Sequence, residues 1–231
     1  MSDRGFGDFE FERRFYVREL PPEVVREPDP DLIIQNYYMA EGGYALRLRV
    51  QASSLTLDPA DMGNELAALD QHADAFDFCA MTVKGPMIGG TRYEAEREID
   101  VNVGLNMIRL GEARIIKNRF SLWLGQDGWV IDVFASRNRP LIIAECERGG
   151  PVTDLRIPDF CLTEVTDDHR FSNEALANRP FGAWAAEFEQ ELSRNGPRFL
   201  QNLGENVLEG DLRRPEPGRR ALRTPRHRGP Q

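Results

Sequence analysis

Charged side chains recur two residues apart inside segments that otherwise read as β-strands, and this pattern narrows the fold more than any other feature of the chain. Strand-like runs are read at residues 8–17, 31–38, 44–52, 78–84, 91–99, 113–123, 128–134 and 140–147. Side chains two apart in a strand share a face. One face thus collects Glu10, Glu12 and Arg14 in the first run, Arg47 and Arg49 in the third, and Thr82 and Lys84 in the fourth. It continues with Arg92, Glu94 and Glu96, then Lys117 and Arg119, then Asp132, and finally Glu145 and Glu147. The alternate positions are apolar, as Leu46, Leu48 and Val50 are around Arg47 and Arg49. On an open sheet such a face is simply the wetted side. Against that reading, several pairs are wholly acidic and several wholly basic, and like charges two apart repel unless something between them compensates. Divalent metal suits the acidic pairs and phosphate oxygens the basic ones. If the strands close on themselves the charged face lines a lumen, where inward charges are costly unless paired or ligated. Spacing alone does not decide between lumen and solvent.

Helical signals interrupt the strands and dominate the last third. Asp58 and Pro59 read as an N-cap with proline at the first helical position, followed by Met62, Leu66, Leu69, Ala73 and Phe76 at near-helical spacing. A short helix is read at 101–110, stopped by Gly111, and others at 173–177 and 181–192, the last with Phe181, Trp184, Phe188 and Leu192 on one face. Glu41 to Gly43 and Gln126 to Gly128 read as turns. The fold expected is α+β: an antiparallel sheet or barrel with peripheral helices.

The 231 residues suit one large domain, since no Gly/Ser- or Pro-rich linker divides the middle. The start of the chain lacks an apolar leader core, no stretch has the length of a membrane span, and Cys79, Cys146 and Cys161 are too few and too scattered for a disulfide framework or a zinc site. A cytoplasmic location, without membrane contact, is the expectation. Of 29 basic and 38 acidic residues, nine and four lie from Arg194 onward, so the remainder carries 20 against 34, a net of about −14. Residues 213–231, with four prolines and few apolar side chains, read as a disordered basic tail. That tail leaves nucleic acid open as a partner, though nothing else in the chain points to it. An acidic body repels polyanions at long range, so an anion site here must be locally basic or carry metal. His72, His169 and His227 are isolated, and Trp123, Trp129 and Trp184 read as packing residues. The oligomeric state is not legible.

The stretch Glu10, Phe11, Glu12, Arg13, Arg14 resembles the E-x-E-x-K signature of the CYTH domain, the triphosphate tunnel metalloenzymes. Further pieces follow in order: Gln35 to Tyr37, Arg47 to Arg49, Thr82 to Gly85, Arg92 to Glu96, Lys117 to Phe120, Trp129 to Phe134, Leu141 to Glu147, and Glu164 to Phe171. The resemblance covers residues 8–192. It implies an eight-stranded antiparallel closed β-barrel, a tunnel that acts on small-molecule triphosphates with Mg²⁺ or Mn²⁺.

By the same resemblance, Glu10, Glu12, Glu145 and Glu147 hold metal. Arg14, Arg47, Arg49, Lys84, Arg92, Lys117 and Arg119 bind phosphate oxygens. Glu94, Glu96 and Asp132 orient the attacking water or hold the basic residues, and Glu10, Glu12 and Arg14 belong to the catalytic set. The expected activity is hydrolysis of tripolyphosphate to pyrophosphate and phosphate. The alternatives are thiamine triphosphatase, an adenylate cyclase of the class found on this scaffold, or a non-catalytic polyphosphate- or nucleotide-binding module. Two departures stand out. Arg14 replaces the signature lysine with a forked guanidinium, and Val130 stands where many bacterial members carry an acid. The long segment between Arg49 and Thr82 reads as surface packing rather than a lid.

Overall fold

Eight strands with this alternation can satisfy both faces only by closing, and they do. The computed structural model of the chain describes residues 9–25, 30–59 and 64–212. Its strands are β1 (Phe9–Val17), β2 (Asp31–Glu41), β3 (Tyr44–Ala52), β4 (Phe78–Lys84), β5 (Thr91–Glu98), β6 (Ala113–Leu124), β7 (Asp127–Phe134) and β8 (Ile142–Arg148). All neighbours are antiparallel in the order β1-β5-β4-β3-β2-β6-β7-β8, and β8 pairs back onto β1 over Phe11 to Val17. The barrel is closed, so the charged face is a lumen and the wetted-sheet alternative is excluded.

The register carries that face round the ring. Glu12 lies opposite Glu147, Arg14 opposite Glu145, Glu10 opposite Arg92, Lys84 opposite Glu94, Thr82 opposite both Arg47 and Glu96, and Arg119 opposite Asp132. Directly opposed residues share a face, so every charged pair singled out from the sequence points inward.

Apolar clusters cover most of the outside. One packs Phe15, Phe120, Trp129, Ile131 and Cys146 under the segment containing Leu155, Ile157 and Cys161. A second packs Leu32, Val50, Cys79 and Ile116 against α2 (Glu65–Gln71) and α3 (Val101–Leu110). Leu69 and Ile108 are fully buried there, so the insertion between β3 and β4 is wall packing, not a lid. A third gathers Tyr16, Tyr37, Ile115, Phe134 and Ile143 at one end of the barrel under α4 (Asn173–Asn178) and the aromatic group Phe171, Phe181, Trp184 and Phe188. That group is edge-packed, with Phe181 and Trp184 centroids 4.8 Å apart, and it covers part of this end of the barrel. All three cysteines are buried and unpaired. Among the described residues, no helix is long and apolar enough to cross a membrane.

Three local expectations are corrected. The helix read from Asp58 and Pro59 begins at Glu65 instead, because the Asn64 side chain accepts from Ala67 N at 2.7 Å and supplies the cap beside the apolar run. The β6–β7 turn is Gly125 and Gln126 rather than 126–128. Gly125 takes φ 66°, and Leu124 already pairs with Asp127. A two-residue hairpin turn with left-handed backbone only at its first position selects glycine there. The helix read over 181–192 is broken: a 3-10 turn at Phe181–Ala183 precedes α5 (Ala185–Asn195). Residues 213–231, the basic tail, lie outside the described residues.

The C-terminal segment is fastened to β1 by one buried ion pair. Arg13, on the outer face, donates to both Glu164 oxygens at 2.8 and 2.7 Å and to Asn206 Oδ1 at 2.6 Å. Glu164 sits on a short strand (Thr163–Glu164), which continues the β1 edge where β5 leaves it. Both partners are fully buried. Replacing Glu164 with alanine strands a buried guanidinium and is expected to destabilise the fold by about 3–5 kcal/mol, read from the midpoint of urea unfolding. An unchanged midpoint would mean that the segment is held by its apolar contacts alone.

Candidate functional site

Closure turns the i, i+2 pattern into two facing walls. Six carboxylates (Glu10, Glu12, Glu94, Glu96, Glu145, Glu147), five cations (Arg47, Arg49, Lys84, Arg92, Arg119) and the amide of Asn173 line a luminal cavity of about 220 Å³. The strands sort them. β1 and β8 contribute only acids, β3, β4 and β6 only cations, and β5 contributes both. Formally the cavity carries one negative charge in excess, so a polyanion entering it needs an accompanying cation.

On the acidic wall, one carboxylate oxygen each from Glu10, Glu12 and Glu147 lies within 4.8 Å of the others. The opposed pair Glu12 and Glu147 comes from the β1–β8 seam. Glu12 is buried, and its Oε1 has no hydrogen bond; Arg14 and Arg92 nitrogens stand off at 3.6 Å. Burial and then Glu10 push the Glu12 carboxyl up, against Arg14. Burial would likewise raise Glu10, but Lys84 and Arg92 hold it well below the usual range, with Arg92 Nε 2.5 Å away. Glu147 is open to the tunnel mouth, yet the protein around it and then Glu145 push it up. Glu145 lines the same cavity but turns toward Arg119, 3.3 Å away, and is not among the three converging groups. A set of clustered carboxylates with one orphaned buried oxygen fits a hard divalent cation, which takes oxygen ligands.

Glu12 owes its position to Gly90. Glu12 N donates to Gly90 O at 2.9 Å, and Gly90 takes φ 76°. A Cβ there would sit 2.9 Å from the Glu12 carbonyl oxygen. The glycine-rich link between β4 and β5 is therefore a turn that lets the backbone press against β1.

The basic wall is held by its own carboxylates. Glu96 accepts from Thr82 at 2.8 Å, Arg49 at 2.9 Å and Arg47 at 3.2 Å, and Glu94 lies 2.6 Å from Lys84. These two acids hold the cations in place. Nε of Arg47 and Nε of Arg49 are nevertheless buried without an acceptor. Burial and then the neighbouring Arg47 lower the pKa of Arg49.

Arg14, Lys117 and Asp132 share the luminal face but are engaged by the protein and are not part of the cavity lining. Arg14 donates to the carbonyls of Phe171 and Thr166, each at 3.1 Å. Asp132 is fully enclosed. It accepts from Lys117 and, at 2.8 Å through both oxygens, from Arg119. Burial would raise its carboxyl, but Arg119 and Lys117 hold it down at about 2. Burial brings the Lys117 ammonium down to about 8, with Asp132 opposing and Arg119 assisting. Val130 faces the lumen between Ser121 and Glu145, so the family's extra acid is absent where it would have joined the acidic wall.

Sequence reasoning missed Asn173 and Glu174. Both are at the start of α4. Asn173 reaches into the cavity with its Oδ1 3.4 Å from Lys117, and Glu174 lies 3.9 Å from Arg92. Their only signal was the helix N-terminus itself, with Ser172 as its cap. Trp129 and Trp184 are buried as read, but Trp123 is 77% exposed, which corrects its reading as packing.

No family model matches the chain. An inorganic triphosphatase from Acetivibrio thermocellus is 34% identical over 103 residues. That match takes in 44% of this chain and 66% of the relative, a little under two thirds of its length. Among solved structures, the inorganic triphosphatase NE1496 is 26% identical, with 73% of this chain and 93% of that one covered at a TM-score of 0.48. The PH1012 protein of Pyrococcus horikoshii OT3 is 12% identical, with 60% and 77% covered at a TM-score of 0.37. At TM-scores below 0.5 these two likenesses lend no weight to an assignment. The closed eight-stranded tunnel and the ordered motifs that line it are those the resemblance to the CYTH-domain family implies, and the 34% identical relative is similar over less than half of this chain.

Proposed function

We propose that the chain hydrolyses a triphosphate with the help of Mg²⁺ or Mn²⁺, with tripolyphosphate as the simplest substrate and pyrophosphate and phosphate as products. One observation carries this reading: the two walls are incomplete in complementary ways. The acidic wall has a buried carboxylate oxygen without a donor, and the basic wall has two buried guanidinium nitrogens without an acceptor. A cation completes the first and phosphate oxygens complete the second. The 34% identical relative, an inorganic triphosphatase, supports the same reading.

Glu10, Glu12 and Glu147 would hold the cation, with Glu145 beside them. Such an ion neutralises phosphate oxygens and acidifies a water. Arg47, Arg49, Lys84, Arg92 and Arg119 grip the phosphate chain, the forked arginines meeting two oxygens at a time. Glu94 and Glu96 fix Thr82, Arg47, Arg49 and Lys84 in the wall, and Asp132 fixes Arg119, so these acids act as positioning residues. Arg14 and Lys117 serve the same end. Arg14 ties the signature strand to the segment before α4, and Lys117 joins Asp132 to Asn173. Phosphoryl transfer asks mainly for positioning and charge neutralisation, which this lumen supplies without a covalent nucleophile.

The test is product analysis with tripolyphosphate and ATP in Mg²⁺ or Mn²⁺. Orthophosphate from tripolyphosphate is expected; cyclic AMP from ATP, or binding without turnover, would overturn the reading. Glu12→Gln and Glu147→Gln are expected to remove most turnover while leaving the unfolding midpoint in place. Arg47→Ala and Arg119→Ala are expected to weaken triphosphate binding by about 1.5–3 kcal/mol each, measured by calorimetry, with metal affinity little changed.

Gly90→Ala is a separate check on the acidic wall, because it alters no charge. Strain of about 1–3 kcal/mol at the left-handed position, together with the clash on the Glu12 carbonyl, should displace Glu12 and weaken metal binding. Metal affinity equal to that of the unaltered protein would mean that Glu12 is not a ligand.

A further inference from the structure

The luminal face does not end at the charged cavity. On β6 it runs on from Arg119 through Ser121 to Trp123, whose indole is 77% exposed at the end of the barrel away from α4. Trp123 pairs with Gly128, and Gly128 pairs with Glu147 of the acidic cluster. The ring lies beside Gly128: a Cβ added to that glycine would come within 3.8 Å of it. One side of the indole is thus seated on β7 and the rest is open. An open cavity of about 1020 Å³ surrounds this hairpin, with Trp123, Ser121, Gly128, Val130 and Glu147 on its wall. Glu147 also lines the charged cavity, so the two spaces meet at that residue.

We propose that Trp123 is a stacking platform for the base of a nucleoside triphosphate whose phosphates lie in the charged cavity. The proposal rests on the triphosphate reading above and adds the chemistry of the far end of the substrate. Four residues of strand separate Arg119 from Trp123, about 13 Å at the rise of an antiparallel strand. An extended nucleoside triphosphate spans that length from its terminal phosphate to its base. Gly128, opposite Trp123, brings no side chain over the ring, and Val130, one step along the face opposite Ser121, adds no charge; the charged groups on the cavity wall are Asp127, Glu147, Arg148, Asp154 and Arg156. A large exposed aromatic ring next to a cleft offers a π-face that any base can use. Water attack on the terminal phosphorus then breaks the bond to the bridging oxygen, releasing phosphate inside the charged cavity and a nucleoside diphosphate toward the mouth.

Trp129 and Trp184 are 1% and 2% exposed, so Trp123 is the one tryptophan of the chain that a ligand can touch. Its emission therefore reports the site directly. In stopped flow with Mg²⁺, ATP is expected to quench tryptophan emission before turnover, whereas tripolyphosphate is not. Trp123→Ala should abolish the quench and raise the KM for ATP about tenfold, within the range for base–aromatic stacking, while the KM for tripolyphosphate moves less than twofold. Trp123→Phe, which keeps a ring, should retain most of the ATP affinity. If tripolyphosphate is hydrolysed but ATP neither quenches nor responds to Trp123→Ala, the platform is refuted and the triphosphatase reading stands. If Trp123→Ala weakens both substrates alike, the residue is structural and the platform is equally refuted. If ATP quenches through Trp123 and tripolyphosphate is not hydrolysed, the platform stands and the triphosphatase reading falls.

Discussion

The β1–β8 seam is the constraint from which the rest follows. Closing the barrel there puts Glu12 directly opposite Glu147 and Glu10 one step along the same face. Like charges directly opposite in a ladder oppose pairing, and Glu12 is buried as well. A sheet free to choose its register would avoid this arrangement. The seam nevertheless pairs seven residues, because the outer positions of the same strands, Phe11, Phe15, Ala144 and Cys146, pack into one apolar cluster. Apolar burial outside holds an electrostatically unfavourable arrangement inside, and the lumen is left with a local need for positive charge that a cation would meet.

The opposite wall has the converse problem and solves it differently. Five cations in a small space would repel one another. Arg47, Arg49 and Lys84 meet Glu94 and Glu96 of β5, and Arg119 meets Asp132 of β7. Pairing along the wall still leaves Nε of Arg47 and Nε of Arg49 without an acceptor. Other contacts cross to the acids of β1 and β8: Arg92 and Lys84 to Glu10, at 2.5 and 3.2 Å, and Arg119 to Glu145 at 3.3 Å.

The eight strands were legible because every one carried the two-residue alternation, and seven of the eight matched the reading to within two residues at both ends. β2 was underestimated because a bulge between Tyr37 and Met39 shifts the alternation partway along it. Closure was not legible from spacing, since an open sheet and a barrel share the same local pattern; the family resemblance supplied it. The acidic and basic pairs did mark the two walls. What the pattern could not convey was which charges spend themselves on the protein. Lys117 and Asp132 look like Arg119 and Glu145 in sequence, and only the register across β6 and β7 shows them enclosed with each other. Asn173 and Glu174 escaped because they reach the lumen from a helix end. Trp123 was misread because an aromatic residue in a strand is usually buried, and its exposure depends on how far the β6–β7 hairpin extends beyond its neighbours.

The two ends of the tunnel are unequal, and that gives the site a direction. One end is partly covered by α4 and the aromatic group around Phe181 and Trp184, and the segment carrying them is fastened through Glu164 to Arg13. Arg13 precedes Arg14, and Glu12 precedes Arg13, so the residue that anchors the cover alternates with residues that face the lumen. The cover and the acidic wall are therefore set by the same three residues of β1, and a shift of that strand would disturb both together. On the proposed function, a chain of phosphates entering from the side of Glu147 and Trp123 would carry its terminal phosphate farthest along the tunnel. Whatever group stands at its other end would be left at the mouth, where selection among ligands would fall to the rim that bears the exposed indole.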